Sequence, residues 1–78
     1  PQILENVQLA ARRNLEDMRT LSTEAAKVKD ALGKDGRVIV RWSGTEAKLR
    51  IMIEGPNDAK IRAYAKALAD AARKDVPG

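Results

Sequence analysis

The sequence predicts a small domain that mixes helices with an antiparallel β-hairpin, and three stretches carry the prediction. Leu21, Ala25, Val28 and Leu32 recur at spacings of four, three and four, the apolar stripe of a helix. "RVIVRW" and "KLRIMIE" lie on either side of a short loop containing Gly44, with Val38, Val40 and Trp42 alternating against Arg37, Ile39 and Arg41, as in a half-buried strand. Near the C-terminus Ile61, Tyr64, Ala65, Leu68 and Ala72 share one helix face, and Arg62, Lys66, Asp70, Arg73 and Lys74 share the other.

At 78 residues the chain is one domain, near the lower limit at which a hydrophobic core holds itself together. It begins "PQILENV" and its two methionines are Met18 and Met52, so residues 1–78 read as a single domain excised from a larger protein. Apolar runs do not exceed three residues, as in Val38–Val40 and Ile51–Ile53, so neither a signal peptide nor a membrane span is expected. A soluble, cytoplasmic protein is the expectation. With no cysteine and no histidine, the chain has no disulfide scaffold, no thiolate chemistry and no imidazole base or metal ligand. Fifteen Lys and Arg against eleven Asp and Glu give a net charge of +4, which favours anionic partners. Trp42 and Tyr64 are the whole aromatic complement, too little for the stacking platforms of nucleic-acid binders.

In chain order, residues 3–9, "ILENVQL", read as a strand, and "ARRNLEDMR" as an irregular turn or short helical piece. The first helix starts at Leu21, with Ser22 or Thr23 as its cap, and ends at Gly33, where a left-handed residue is wanted. "GKDG", residues 33–36, is a turn. If the hairpin places Arg41 opposite Arg50, then Ile39 faces Met52 and Arg37 faces Glu54, while Val38, Val40, Trp42, Leu49, Ile51 and Ile53 form a wholly apolar face. "GPND" ends the hairpin, and Asn57 or Asp58 caps the last helix. On that helix Asp58 with Arg62, and Asp70 with Lys66 and Lys74, are four apart and add a few tenths of a kcal/mol each. This charged face reads as solvated.

The loop "RWSGTEAKLR" is the candidate functional element. Like charges opposite one another on paired strands are unfavourable, so the Arg41–Arg50 pair needs an anion or a carboxylate beside it. Ser43 and Thr45 add hydroxyl donors, and a positive φ at Gly44 would turn consecutive N–H groups into an anion-binding nest. These groups suit a phosphate, which arginine grips with two parallel bonds. The same residues also allow a plain turn with Glu46 lying between the arginines as their structural partner. The loop joins two strands and lacks G-x-x-x-x-G-K-[ST], so it is not a nucleotide P-loop; G-x-S-x-G is absent too, so Ser43 is not read as a nucleophile. Trp42 reads as a core or rim residue, and Lys48 as a solvated cation.

"GRVIVRWSGTEAKLRIMIEG" resembles the signature of the C-terminal domain of the α-D-phosphohexomutases, G-R-hydrophobic-R-x-S-G-T-E-P-x-x-R-V-M-x-E. Gly36, Arg37, Arg41, Ser43, Gly44, Thr45, Glu46, Arg50, Met52 and Glu54 stand at matching positions. A weaker likeness extends to "PQILENV", "RRNLEDM" and the Ala-rich closing helix. The resemblance implies an α+β fold of the TATA-binding-protein-like kind, a small antiparallel sheet with helices packed on one face. It implies that Arg41, Ser43, Gly44 through its backbone, and Thr45 bind the phosphate of a phosphosugar, with Arg50 in support. No catalytic residue, metal or cofactor is implied for this domain; the phosphoserine and Mg²⁺ of such enzymes are expected elsewhere in the parent chain. The implied partners are a phosphosugar substrate and the parent's other domains, with no nucleic acid and no membrane. Ala47 stands where the family has proline, Trp42 is bulky at a variable position, and Gly44 favours the glucosamine branch over relatives that often have Asn there. Two other classes compete: a basic module binding nucleic-acid phosphates, with a steep salt dependence, and a structural domain whose loop is only a turn.

Overall fold

The computed structural model describes residues 1–77. Three strands, β1 (Gln2–Gln8), β2 (Arg37–Trp42) and β3 (Lys48–Glu54), form one antiparallel sheet in the order β1-β3-β2. Two helices, α1 (Arg19–Leu32) and α2 (Asp58–Asp75), cover one of its faces. The α+β expectation holds, with single-turn 3₁₀ segments at Leu15–Asp17 and Gly33–Asp35. Among the described residues no helix is long and apolar enough to cross a membrane.

Strand β3 is central, paired with β1 on one side and β2 on the other. Leu49, Ile51 and Ile53 are fully buried beneath the helices, flanked by Val7 of β1 and by the half-buried Val38, Val40 and Trp42 of β2. Fully burying one such aliphatic side chain stabilises the fold by about 1.5–3 kcal/mol. From α1 come Leu21, Val28 and Leu32, and from α2 come Ile61, Ala65, Leu68, Ala69 and Ala72. Three of those five α2 positions are alanine, so the helix settles closely onto β1 and β3. Met18, in the stretch read as irregular, is fully buried and closes the core at the start of α1.

The hairpin register is the expected one: Arg41 faces Arg50, Ile39 faces Met52 and Arg37 faces Glu54. Gly33 ends α1 with φ 56°, as expected of a left-handed glycine. Gly36 admits no side chain, since a Cβ there would collide with the Glu54 carbonyl and Leu32. Asn57 caps α2, its side chain accepting from Lys60 N–H at 2.9 Å.

Two local expectations are corrected. Helix α1 begins at Arg19, and neither Ser22 nor Thr23 caps it. Instead the Asp75 carboxylate, from the far end of α2, accepts from the N–H groups of Thr20 at 3.2 Å and Leu21 at 2.8 Å. Burial raises the Asp75 pKa, but the hydrogen bonds from Leu21 and Thr20 and the nearby Arg13 charge outweigh it and hold the carboxyl below its ordinary value. On the outer face of α2, Asp70 pairs with Lys66 and with Arg73, each at 3.4 Å, rather than with Lys74.

Candidate functional site

The uncovered face of the sheet is built in rows, one residue from each strand. One row is Gln2, Glu54 and Arg37; the next is Leu4, Met52 and Ile39; the third is Asn6, Arg50 and Arg41. Ser43 N–H donates to Lys48 O at 2.8 Å beyond that third row, which makes Arg41 and Arg50 a hydrogen-bonded pair with Cα atoms about 5.5 Å apart. Both arginines are exposed. Asn6, beside Arg50, adds an exposed amide that the sequence reading did not include; only the pairing of β1 with β3 brings it there.

Among the described residues no carboxylate pairs with either arginine. Glu46 pairs with Lys48 at 3.2 Å, so the reading in which Glu46 neutralises Arg41 and Arg50 is not the structure adopted. Lys48 is thus a half-buried ion-pair partner and not a freely solvated cation. Among the described residues neither Arg41 nor Arg50 makes a salt bridge. Directly opposed like charges oppose pairing by about 0.2–1 kcal/mol, so this rung is locally unfavourable in the free domain.

The loop backbone does not form by the route the sequence suggested. Gly44 does not take a positive φ; among the described residues Gly33 alone does, so the expected left-handed nest at Gly44 is absent. The loop is shaped from outside by Arg12, thirty-odd residues away in sequence. Arg12 Nη1 donates to the carbonyls of Ser43 at 2.7 Å, Gly44 at 2.6 Å and Glu46 at 3.2 Å. Its guanidinium lies over the Trp42 ring, 5.5 Å from the centroid. Trp42 in turn donates its indole N–H to the Arg13 carbonyl at 2.7 Å, so it serves both core and loop. The loop's exit is held by β1: the Ala47 carbonyl accepts from Leu9 N–H at 2.9 Å and from Gln8 Nε2 at 3.3 Å.

Ser43 is half-buried and Thr45 exposed, and among the described residues neither hydroxyl makes a hydrogen bond. A hollow of about 640 Å³ opens beside Arg12, Arg13, Asn14, Leu15, Glu16 and Trp42, on the helix side of the loop. Arg41 and Arg50 line no part of it and stand on the open sheet surface. Chemically, the rung and loop together offer two guanidinium forks, two free hydroxyls and an amide, all donors suited to an oxyanion. Among the described residues no group of three His, Cys, Asp or Glu side chains is placed to hold a metal ion.

Comparison with known proteins bears on what such a surface is for. Residues 4–71 match the family model described as phosphoglucomutase/phosphomannomutase, C-terminal domain. The phosphoglucosamine mutase of Sorangium cellulosum (strain So ce56) is 45% identical over 100% of this chain, and the match covers 16% of that protein. That of Anaeromyxobacter sp. (strain Fw109-5) is 49% identical over 95% of the chain and 16% of the relative. That of Solibacter usitatus (strain Ellin6076) is 38% identical over 97% of the chain and 17% of the relative. The chain thus spans about one sixth of the length of these relatives. With helices on one sheet face, a bare arginine rung on the other and a match over nearly its whole length, the chain belongs to the phosphoglucomutase/phosphomannomutase C-terminal domain family.

Proposed function

We propose that this chain is the C-terminal, phosphate-anchoring domain of a phosphoglucosamine mutase, an enzyme that interconverts glucosamine 6-phosphate and glucosamine 1-phosphate for amino-sugar and cell-wall precursor synthesis. The observation that carries the reading is the Arg41–Arg50 rung: two opposed guanidinium groups, exposed, with no carboxylate paired to either among the described residues. Phosphate supplies the missing negative charge. Ser43 and Thr45 hydroxyls, and the loop backbone at Gly44, complete the donor set. The names of the relatives, all phosphoglucosamine mutases, favour the glucosamine substrate over mannose or glucose phosphates.

In that role the domain does no bond-making. It holds the phosphate at the end of the sugar that is not reacting, while the other end meets a phosphoserine carried by another domain. Binding energy from the remote group then positions the reacting group. The open sheet face suits this task, because the other domains of the same enzyme would close over it and exclude water. Among the described residues no cluster of acidic side chains is placed to hold Mg²⁺, which would be bound by another domain. Its partners in this role are a phosphosugar and the enzyme's other domains, in the cytoplasm, with no nucleic acid and no membrane.

The test is steady-state kinetics of the full-length enzyme carrying Arg41→Ala. A charge-assisted hydrogen bond is worth about 1.5–3 kcal/mol, so KM should rise about 10- to 100-fold with the fold unchanged. Arg41→Lys should lose most of the same binding, because a point charge does not reproduce the planar fork. An unchanged KM in the alanine variant contradicts the assignment.

A further inference from the structure

A peptide's C=O and the N–H that follows it point in opposite directions, because the peptide plane is trans. Arg12 draws the carbonyls of Ser43, Gly44 and Glu46 towards one nitrogen. The N–H groups that follow them, on Gly44, Thr45 and Ala47, are therefore turned away from Arg12. Arg12 lies on the helix side of the hairpin, since it stacks on Trp42, whose ring packs against the core. Arg41 and Arg50 project from the opposite side, by the alternation of the strand. Among the described residues, none of these three N–H groups makes a hydrogen bond. Three free amides thus share a side with two uncompensated guanidinium groups.

We infer that Arg12 is a positioning residue for the anion site: it clamps the loop through its carbonyls, presents the amides of Gly44, Thr45 and Ala47 beside Arg41 and Arg50, and does not itself touch the ligand. The inference rests on the proposed anion-binding reading of the loop. It explains how the loop holds its shape without a left-handed glycine. It also gives a use to Ala47, which carries an N–H that a proline at this position would lack. Carbonyl dipoles and the Trp42 ring engage Arg12, so among the described residues it holds the loop without a carboxylate partner of its own.

The experiment uses this chain and inorganic phosphate as the probe. Backbone ¹⁵N relaxation without ligand reads the clamp: in Arg12→Ala the order parameters of Gly44, Thr45 and Glu46 should fall from about 0.85 to below about 0.6. Phosphate titration followed by amide shifts reads its consequence: affinity should drop about tenfold in Arg12→Ala. In Arg12→Lys it should recover to within about threefold of wild type, because all three bonds come from one nitrogen and an ammonium carries three donors. Lys74→Ala, which removes an exposed cation on α2, controls for net charge and should bind as wild type. Unchanged loop order in Arg12→Ala overturns the clamp. A loosened loop that still binds phosphate with wild-type affinity overturns the positioning role alone. Loss of affinity in Arg12→Lys with the loop still rigid would make Arg12 a direct ligand and overturn it as well. A wild-type chain that does not respond to phosphate overturns the anion-binding reading, a different failure from an Arg12→Ala variant that binds normally.

Discussion

The hairpin carries two charged rungs that share a backbone frame and differ in one side chain. At one end Arg37 faces Glu54 and bonds its carboxylate at 3.0 Å; at the other Arg41 faces Arg50 and, among the described residues, finds no carboxylate. The first rung is complete in itself. The second is left with a positive charge that the fold does not answer, although Glu46 is only a few residues away and pairs instead with Lys48. A sheet optimised only for pairing would repeat the first arrangement. That difference is what the proposed anion site rests on, and the loop beside the open rung repeats it in its backbone, with N–H groups that make no hydrogen bond among the described residues, whereas the Asp75 carboxylate satisfies those of Thr20 and Leu21.

The largest effect should come from making the two rungs alike. Arg50→Glu places a carboxylate opposite Arg41, and phosphate affinity should fall by more than about tenfold while stability rises by about 0.2–1 kcal/mol. Phosphate titration and thermal unfolding of the same variant check both signs. A variant that binds phosphate normally would show that the bare rung is incidental.

An intermediate effect is expected where the fold answers its own donors. A carboxylate held more acidic in the folded than in the unfolded chain contributes stability that is fully present above its unfolded pKa, about 3.9, and lost as pH falls through the folded value. Asp75 is such a group. Asp75→Asn removes the charge at the start of α1 and should therefore be less stable than wild type at pH 7 by about 0.3–1 kcal/mol, a Tm lower by a few degrees for a domain of this size. The gap should close on acidification below the ordinary carboxylate range. A gap that persists at acid pH would mean that the carboxylate charge is not what holds the start of α1.

The smallest effect belongs to the completed rung. Arg37 and Glu54 side chains are 64% and 38% exposed, and exposed pairs contribute about 0–1 kcal/mol. Arg37→Ala should leave phosphate affinity unchanged and shift Tm by a few degrees at most. A loss of phosphate binding comparable to that of Arg50→Glu would show that the site responds to bulk charge and not to the rung.

The contrast between the rungs was visible in the sequence because strand alternation is local. Assigning Val38, Val40 and Trp42 to one face narrows the register to steps of two, and the supposed pairing of Arg41 with Arg50 is the one the structure adopts. The closing helix was legible for the same reason, its apolar stripe fixing the buried face. What the sequence did not show depends on contacts between distant segments. Nothing in "ARRNLEDMR" marks Arg12 as the clamp of a loop beyond the next helix, or Asp75 as the cap of α1; two adjacent cations after a strand are too common a pattern to single out. Asn6 entered the third row only through the pairing of β1 with β3. The expectation of a left-handed Gly44 failed because it sought a local cause for a loop shape that Arg12 imposes from outside.

The most direct measurement is a ¹H–¹⁵N titration of this chain with glucosamine 6-phosphate, with unphosphorylated glucosamine and a short single-stranded DNA as controls. The account predicts shifts confined to the Arg41–Arg50 segment and Asn6, produced by the phosphosugar and not by glucosamine. Equal shifts with glucosamine, a spread-out and salt-sensitive response to DNA alone, or no response at Arg41 and Arg50 would contradict it.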